Sequence, residues 1–239
     1  MSDPPFRAEH IGSLLRPAEL LADPSRADQC IAAAIRWQES LGLQVVTDGE
    51  FRLGFVSRVQ GFVRADAIGE VDLQRDDAGN VARIGSAPLA VSKIRRTGPI
   101  VADEVAFSIR ETRCTVKATI PAPSYLHFPR GNACVDPRVY PDMEEFFQDV
   151  IEIYGAEMKA LFAAGGRYLQ IDEVAQPLLC DEDLRAAVRA RGDDPERLID
   201  LYIGLINRAV QARPAGMTIG VHMCRGNVHG KWMAAGGYE

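Results

Sequence analysis

The sequence is short of several things, and each shortage excludes a class of protein. No stretch approaches 18 consecutive apolar residues, and the opening "MSDPPFRAEH" has no apolar core. Neither a membrane span nor a secretory signal is therefore expected, and the expected location is cytoplasmic. No C-x-x-C pair occurs, and the five cysteines (Cys30, Cys114, Cys134, Cys180 and Cys224) are widely dispersed. An odd, scattered set is a poor disulfide framework, so reduced thiols are expected, and any metal site must be assembled from distant segments. The formal charge is −6, with no Lys/Arg stripe interleaved with aromatics, so nucleic acid is not an expected partner. Internal repeats and low-complexity segments are also missing.

What is present reads as alternating helix and strand. The helical signals are a periodic run over 28–41 stopped by Gly42, a segment at 100–111, and a long run from Met143 to about Ala164. That long run has Asp142 as N-cap and Gly165-Gly166 as its stop. Another helix opens at Asp194-Pro195, with proline at the first position, and closes at Pro214-Ala-Gly216. Strand signals fall at "EHIGS", "LQVVTDGE", "AVSKI" (90–94), "TVKATIPAP" (115–123), "RYLQIDE" (167–173) and "MTIGVHMC" (217–224). Two short strand-like pieces around "DDAGN", near residues 69–86, predict a β-hairpin insertion. Strand–helix repetition implies a parallel sheet, doubly wound or barrel, and a chain of 239 residues suits a single α/β barrel domain spanning 1–239. About six of eight β/α units are counted.

Residues two apart in a strand share a face. His222 and Cys224 therefore emerge together at the carboxyl end of their strand, as do Gln170 and Asp172. Asp48 and Glu50 do the same if the chain stays extended through Gly49. Three strands thus end in polar groups: Asp48/Glu50, Asp172/Glu173 and His222/Cys224. Parallel α/β proteins place their chemistry at that end, and burying unpaired charge is costly, so a shared wet site explains all three together. Each pair taken alone has a plainer reading. His-x-Cys suits a satisfied core pair, "TDGE" a capping turn, and "IDE" a salt bridge to Arg167 or Arg185. Cys114 and Cys180 suit small buried hydrophobes, and His127 and His229 suit structural or rim positions.

Five segments in order, "FRAEHIGSLLRP", "VVTDGEFR", "IPAPSYLHFPRG", "YLQIDEVA" and "GVHMCRGN", resemble the catalytic domain of cobalamin-independent methionine synthase, especially its short single-domain bacterial relatives. The resemblance implies a (β/α)8 TIM-type barrel that transfers a methyl group from a methylated folate to homocysteine, giving methionine, with zinc activating the thiol. It matches His222 and Cys224 to zinc ligands and Ser13, with the backbone of Ile11, to the segment holding the substrate carboxylate. Glu50 and Asp172 match the groups gripping the substrate ammonium, and Ser124 lies on a loop close to the folate. The family's glutamate and second cysteine ligands, and a histidine assisting proton transfer, would fall beyond Glu239, so the chain is expected to be truncated at its C-terminus. A homo-oligomer covering exposed sheet edges is left open. Alternatives are a zinc-dependent alkyltransferase acting on another thiol such as coenzyme M, a metal-free barrel of the uroporphyrinogen decarboxylase type, and an inactive barrel that only binds amino acid.

Overall fold

The structure is a computed structural model that describes residues 8–52, 54–65, 74–75, 81–82, 87–226 and 233–238. In chain order the elements are α1 (Ala18–Ala22), α2 (Ala27–Ser40), β1 (Val45–Val46), β2 (Val59–Ala65), β3 (Gln74–Arg75), β4 (Val81–Ala82), β5 (Ala87–Arg96), α3 (Ala102–Glu111), β6 (Thr115–Pro121), α4 (Met143–Ala163), β7 (Tyr168–Glu173), α5 (Ala175–Leu178), α6 (Glu182–Ala190), α7 (Pro195–Val210) and β8 (Thr218–Met223). Among the described residues no helix is long and apolar enough to cross a membrane.

The helix boundaries follow from local chemistry. The Asp142 side chain accepts from Glu144 N at the start of α4, and Asp194 does the same for Glu196 N at the start of α7. At the far end of α4, Gly166 N donates to Leu161 O and Gly165 N to Phe162 O, with Gly165 at φ 100°. That pair of hydrogen bonds is a Schellman stop, and its left-handed residue favours glycine. Gly42, at φ 80°, ends α2 in the same way.

The central sheet is parallel, in the order β1-β6-β7-β8. Its register aligns Lys117 with Tyr168 and Thr218, Thr119 with Gln170 and Gly220, and Pro121 with Asp172 and His222. Period-two alternation then gives the sheet two unlike faces. Val116, Ala118, Ile120, Leu169 and Ile171 form a buried apolar face that joins the helices in one core. α4 lies between α3 and α7 in that helical layer. The opposite face carries Lys117, Thr119, Gln170, Asp172 and His222.

Three expectations are corrected. "EHIGS" forms no strand; residues 9–14 instead run as an irregular strut along the polar face. "AVSKI" does not join the parallel sheet, because β5 pairs antiparallel with β2 from Val59↔Arg96 to Ala87↔Ala65. This long ribbon leaves the sheet and packs on α4 and the segment before it. There the Tyr140 hydroxyl accepts from Ile94 N at 2.7 Å and Phe62 meets Phe146 edge-on. Gly61 bulges the ribbon at φ 105°, and a Cβ there would lie 2.8 Å from Lys93 O. Four parallel strands are described rather than six. The predicted hairpin is present as the β3–β4 antiparallel pair, while its "DDAGN" turn lies outside the described residues.

Candidate functional site

The polar face of the sheet is built from residues that the ordinary packing of a buried sheet face would not choose. Lys117 is the one charged residue of β6, its side chain wholly shielded from solvent. Its ammonium donates to His10 O at 2.6 Å and Gln170 Oε1 at 3.0 Å, and pairs with Glu9 at 3.5 Å. Burial lowers its pKa, and the Glu9 carboxylate opposes that shift. Gln170 Nε2 donates to Ile11 O at 2.9 Å and Asp172 Oδ1 at 2.7 Å. Thr47 Oγ1 donates to Gly12 O at 2.7 Å. Three consecutive backbone carbonyls, those of His10, Ile11 and Gly12, are therefore each held by a different part of the sheet.

Glu50 reaches this face by a turn, not along a strand. β1 ends at Val46, Gly49 has φ 73°, and Glu50 is the one described non-glycine residue with positive φ, at 56°. The Asp48 side chain folds back to accept from Glu50 N at 2.9 Å. Asp48 and Glu50 thus do not share a strand face as expected, because the chain turns between them. The left-handed conformation at Glu50 costs on the order of 1 kcal/mol or more and aims its carboxylate at Thr119, whose hydroxyl donates at 2.9 Å. Gly12 sits directly on that carboxylate, and a Cβ there would collide with Glu50 Oε1 and lie 2.9 Å from Thr119 Cγ2. Any side chain at position 12 would force the Glu50 carboxylate or Thr119 to shift.

Asp172, opposite, has its pKa raised to about 6, first by burial; Gln170 lowers it and the Glu50 charge raises it further. The two carboxylates therefore feel each other across the face. His222 lies beside Asp172 in the ladder, and Cys224 N continues the pairing by donating to Glu173 O at 3.1 Å. His222 and Cys224 are both half-buried. Burial lowers the His222 pKa, with the Lys117 charge acting in the same sense, which favours a neutral imidazole. Imidazole and thiol are zinc-type donors. No group of three or more His, Cys, Asp or Glu able to hold a metal occurs among the described residues.

The other sequence candidates sort as follows. Ile11 and Ser13 are exposed on the strut, beside Gly12. Ser124 is buried and spends its hydroxyl on Glu173 Oε2 at 2.7 Å, so it is not brought to the open face. Glu173 points away from Asp172 into the apolar layer and also accepts from Gln176 N at the first turn of α5. His127 is buried between Tyr202 and Asn132 in a structural role, and His229 lies outside the described residues. Sequence reasoning missed Lys117, although a lysine amid "TVKATI" is itself a signal, and missed the anchoring role of Gln170.

A cleft of about 540 Å³ is lined by Asp48, Glu50, Thr119, Tyr125 and Asp172 among others. Its volume is that of a small-molecule site. A second hollow of about 670 Å³ lies between α5, α6 and α7 and shares no lining residue with the first. The converging carboxylates mark the smaller one as the candidate site.

The fold and site define an α/β protein with helices on a parallel sheet and a polar cluster at the carboxyl ends of its strands. No family model matches the chain. It is 34% identical to the uncharacterized protein YxjH of Bacillus subtilis over 98% of its own length and 66% of that protein. It is 28% identical to a methionine synthase of Pyrococcus furiosus over 82% of its length and 50% of the relative. Among solved structures it resembles a putative vitamin-B12-independent methionine synthase of Listeria monocytogenes, with a TM-score of 0.72 and 26% identity, covering 93% of this chain and 66% of that one. The chain therefore spans no more than about two thirds of the length of these relatives.

Proposed function

We propose that the chain carries the amino-acid site and part of the zinc site of a methionine synthase-type methyltransferase. On this reading a methyl group passes from a methylated folate to the thiol of homocysteine, yielding methionine. The observation that carries it is the convergence of Glu50 and Asp172 beside the 9–14 strut, with His222 and Cys224 adjacent. Two carboxylates suit an α-ammonium group, and the exposed strut at Ile11–Ser13 suits the carboxylate that accompanies it. Gripping that end of the substrate directs its thiol toward His222 and Cys224. The 540 Å³ cleft leaves room beside the carboxylates for part of a second substrate. Positioning of this kind supplies a large share of the rate in a bimolecular transfer.

His222 and Cys224 would hold zinc, and the further ligands that the resemblance implies have no match among the described residues. Bound there, zinc would supply Lewis acidity that keeps a thiol deprotonated near neutral pH. The similarity to the Listeria and Pyrococcus proteins supports the methyltransferase class.

Calorimetric titration with homocysteine, methionine and 2-mercaptoethanesulfonate (coenzyme M) tests the proposal. The two amino acids should bind and the sulfonate thiol should not. Glu50→Gln should weaken methionine by about 10–100-fold, the worth of one charge-assisted hydrogen bond. Equal binding of the sulfonate thiol, or indifference to Glu50→Gln, would refute the ammonium grip. Elemental analysis of His222→Ala and Cys224→Ser protein should show zinc uptake below that of the unaltered chain.

A further inference from the structure

The buried lysine and the glutamine above it have no place in the chemistry just described, yet they touch both halves of the proposed site. We propose that Lys117 and Gln170 form a positioning pair that fixes the Asp172 carboxylate and the backbone of residues 10–12 relative to one another. The inference rests on the amino-acid-site reading, whose two halves these are.

The reasoning is one of donors and acceptors. A primary amide has one acceptor atom and one doubly donating nitrogen, whereas a lysine ammonium only donates. Lys117 Nζ lies 3.0 Å from the Gln170 side chain, so the oxygen must face it. The amide nitrogen is then turned toward Ile11 O at 2.9 Å and Asp172 Oδ1 at 2.7 Å, both of which are acceptors. A flipped amide would set donor against donor at Lys117 and acceptor against acceptor at Ile11 and Asp172. Three mismatches at once leave one orientation, in a place where unmade hydrogen bonds are costly. Lys117 cannot swing away, because its remaining donors are taken by His10 O at 2.6 Å and by Glu9 at 3.5 Å. The strut's end is readable through Trp37, which stacks on His10 at 5.3 Å. Lys117 and Gln170 are thus positioning residues acting through Asp172 and the strut.

The test is a double-mutant cycle of Lys117→Met and Gln170→Met in a Trp232→Phe background, leaving Trp37 as the single tryptophan. Melting curves identify the folded variants. If Lys117→Met does not fold, Gln170→Met and Gln170→Glu are compared instead; Glu should weaken methionine more than Met, because its carboxylate faces two acceptors. Without ligand, each single variant should change the Trp37 emission and speed amide exchange over residues 9–14. With methionine, each should raise Kd at least tenfold, and the double variant should be no worse than the poorer single one. Additive losses, or a substitution that leaves both the strut and the affinity unmoved, would overturn the pairing. A Gln170→Glu variant that binds as well as Gln170→Met would overturn it too. If the ligand-free arm responds but the unaltered chain binds no amino acid, the coupling stands and the amino-acid reading fails.

Discussion

Glu157 is buried and Asp172 is partly buried, and the two carboxylates are held in opposite ways. Glu157, on α4, is buried and accepts from Arg96 Nε, Ile100 N, Val101 N and Ala102 N at 2.7–3.0 Å. It caps the amino terminus of α3 and ties it to the antiparallel ribbon, with both oxygens saturated. Asp172 accepts one side-chain hydrogen bond, from Gln170, and lines an open cleft with its pKa raised to about 6. A carboxylate satisfied from within is a structural bolt, and one left undersatisfied beside a cleft is poised for a ligand. Glu104 stands between them. It is buried and accepts from Arg58 at 2.7 Å, but burial still raises its pKa to about 7.

That contrast can be broken experimentally, beginning with Glu157. Glu157→Ala should cost about 3–5 kcal/mol, because it strands Arg96 and uncaps α3 together. Urea unfolding would measure the loss, and a change below about 1 kcal/mol would deny Glu157 its structural part. Next comes pH. The Glu104 pKa is raised in the folded chain from 4.5 to about 7. Its stabilising contribution is therefore complete below about pH 4.5 and lost as pH rises through 7. Asp172, raised from 3.8 to about 6, acts in the same sense over a lower window. Stability should fall between pH 5 and 8 by roughly 2 kcal/mol, allowing for solvent in the cleft. Glu104→Gln should flatten most of that slope, and a variant retaining the full slope would move the effect to another group. The smallest effect on stability is expected from Asp172→Asn, within about 1 kcal/mol of the unaltered chain, while methionine affinity drops about 10–100-fold. A variant that unfolds as readily as Glu157→Ala would erase the distinction.

Much of the local structure was legible. Asp142 reads as a cap and is one, the helix read as opening at Asp194-Pro195 does open there, and Gly42 and Gly165 read as stops and adopt positive φ. The period-two rule put Gln170 with Asp172 on one face without knowledge of any neighbour, and the two side chains are hydrogen-bonded there. Other features depend on partners far off in sequence. "AVSKI" has the composition of a strand in either kind of sheet, and only pairing with residues 59–65 made it antiparallel. The strut at 9–14 has a strand's residues, but its carbonyls are taken by side chains from three places, so it joins no ladder. Glu157 looks like any glutamate on an amphipathic helix until α3 arrives above it.

The sequence by itself determined where helices begin and stop, which residues share a strand face, and which residue types could bind a metal or an ammonium group. Those depend on backbone geometry and on neighbours within a few positions. Tertiary structure alone decided that Glu50 turns inward to Thr119, that Lys117 is buried beneath the strut, and that Glu157 is saturated while Asp172 is not. Burial and hydrogen-bond satisfaction are properties of a packed environment, and distant segments create that environment only when they meet.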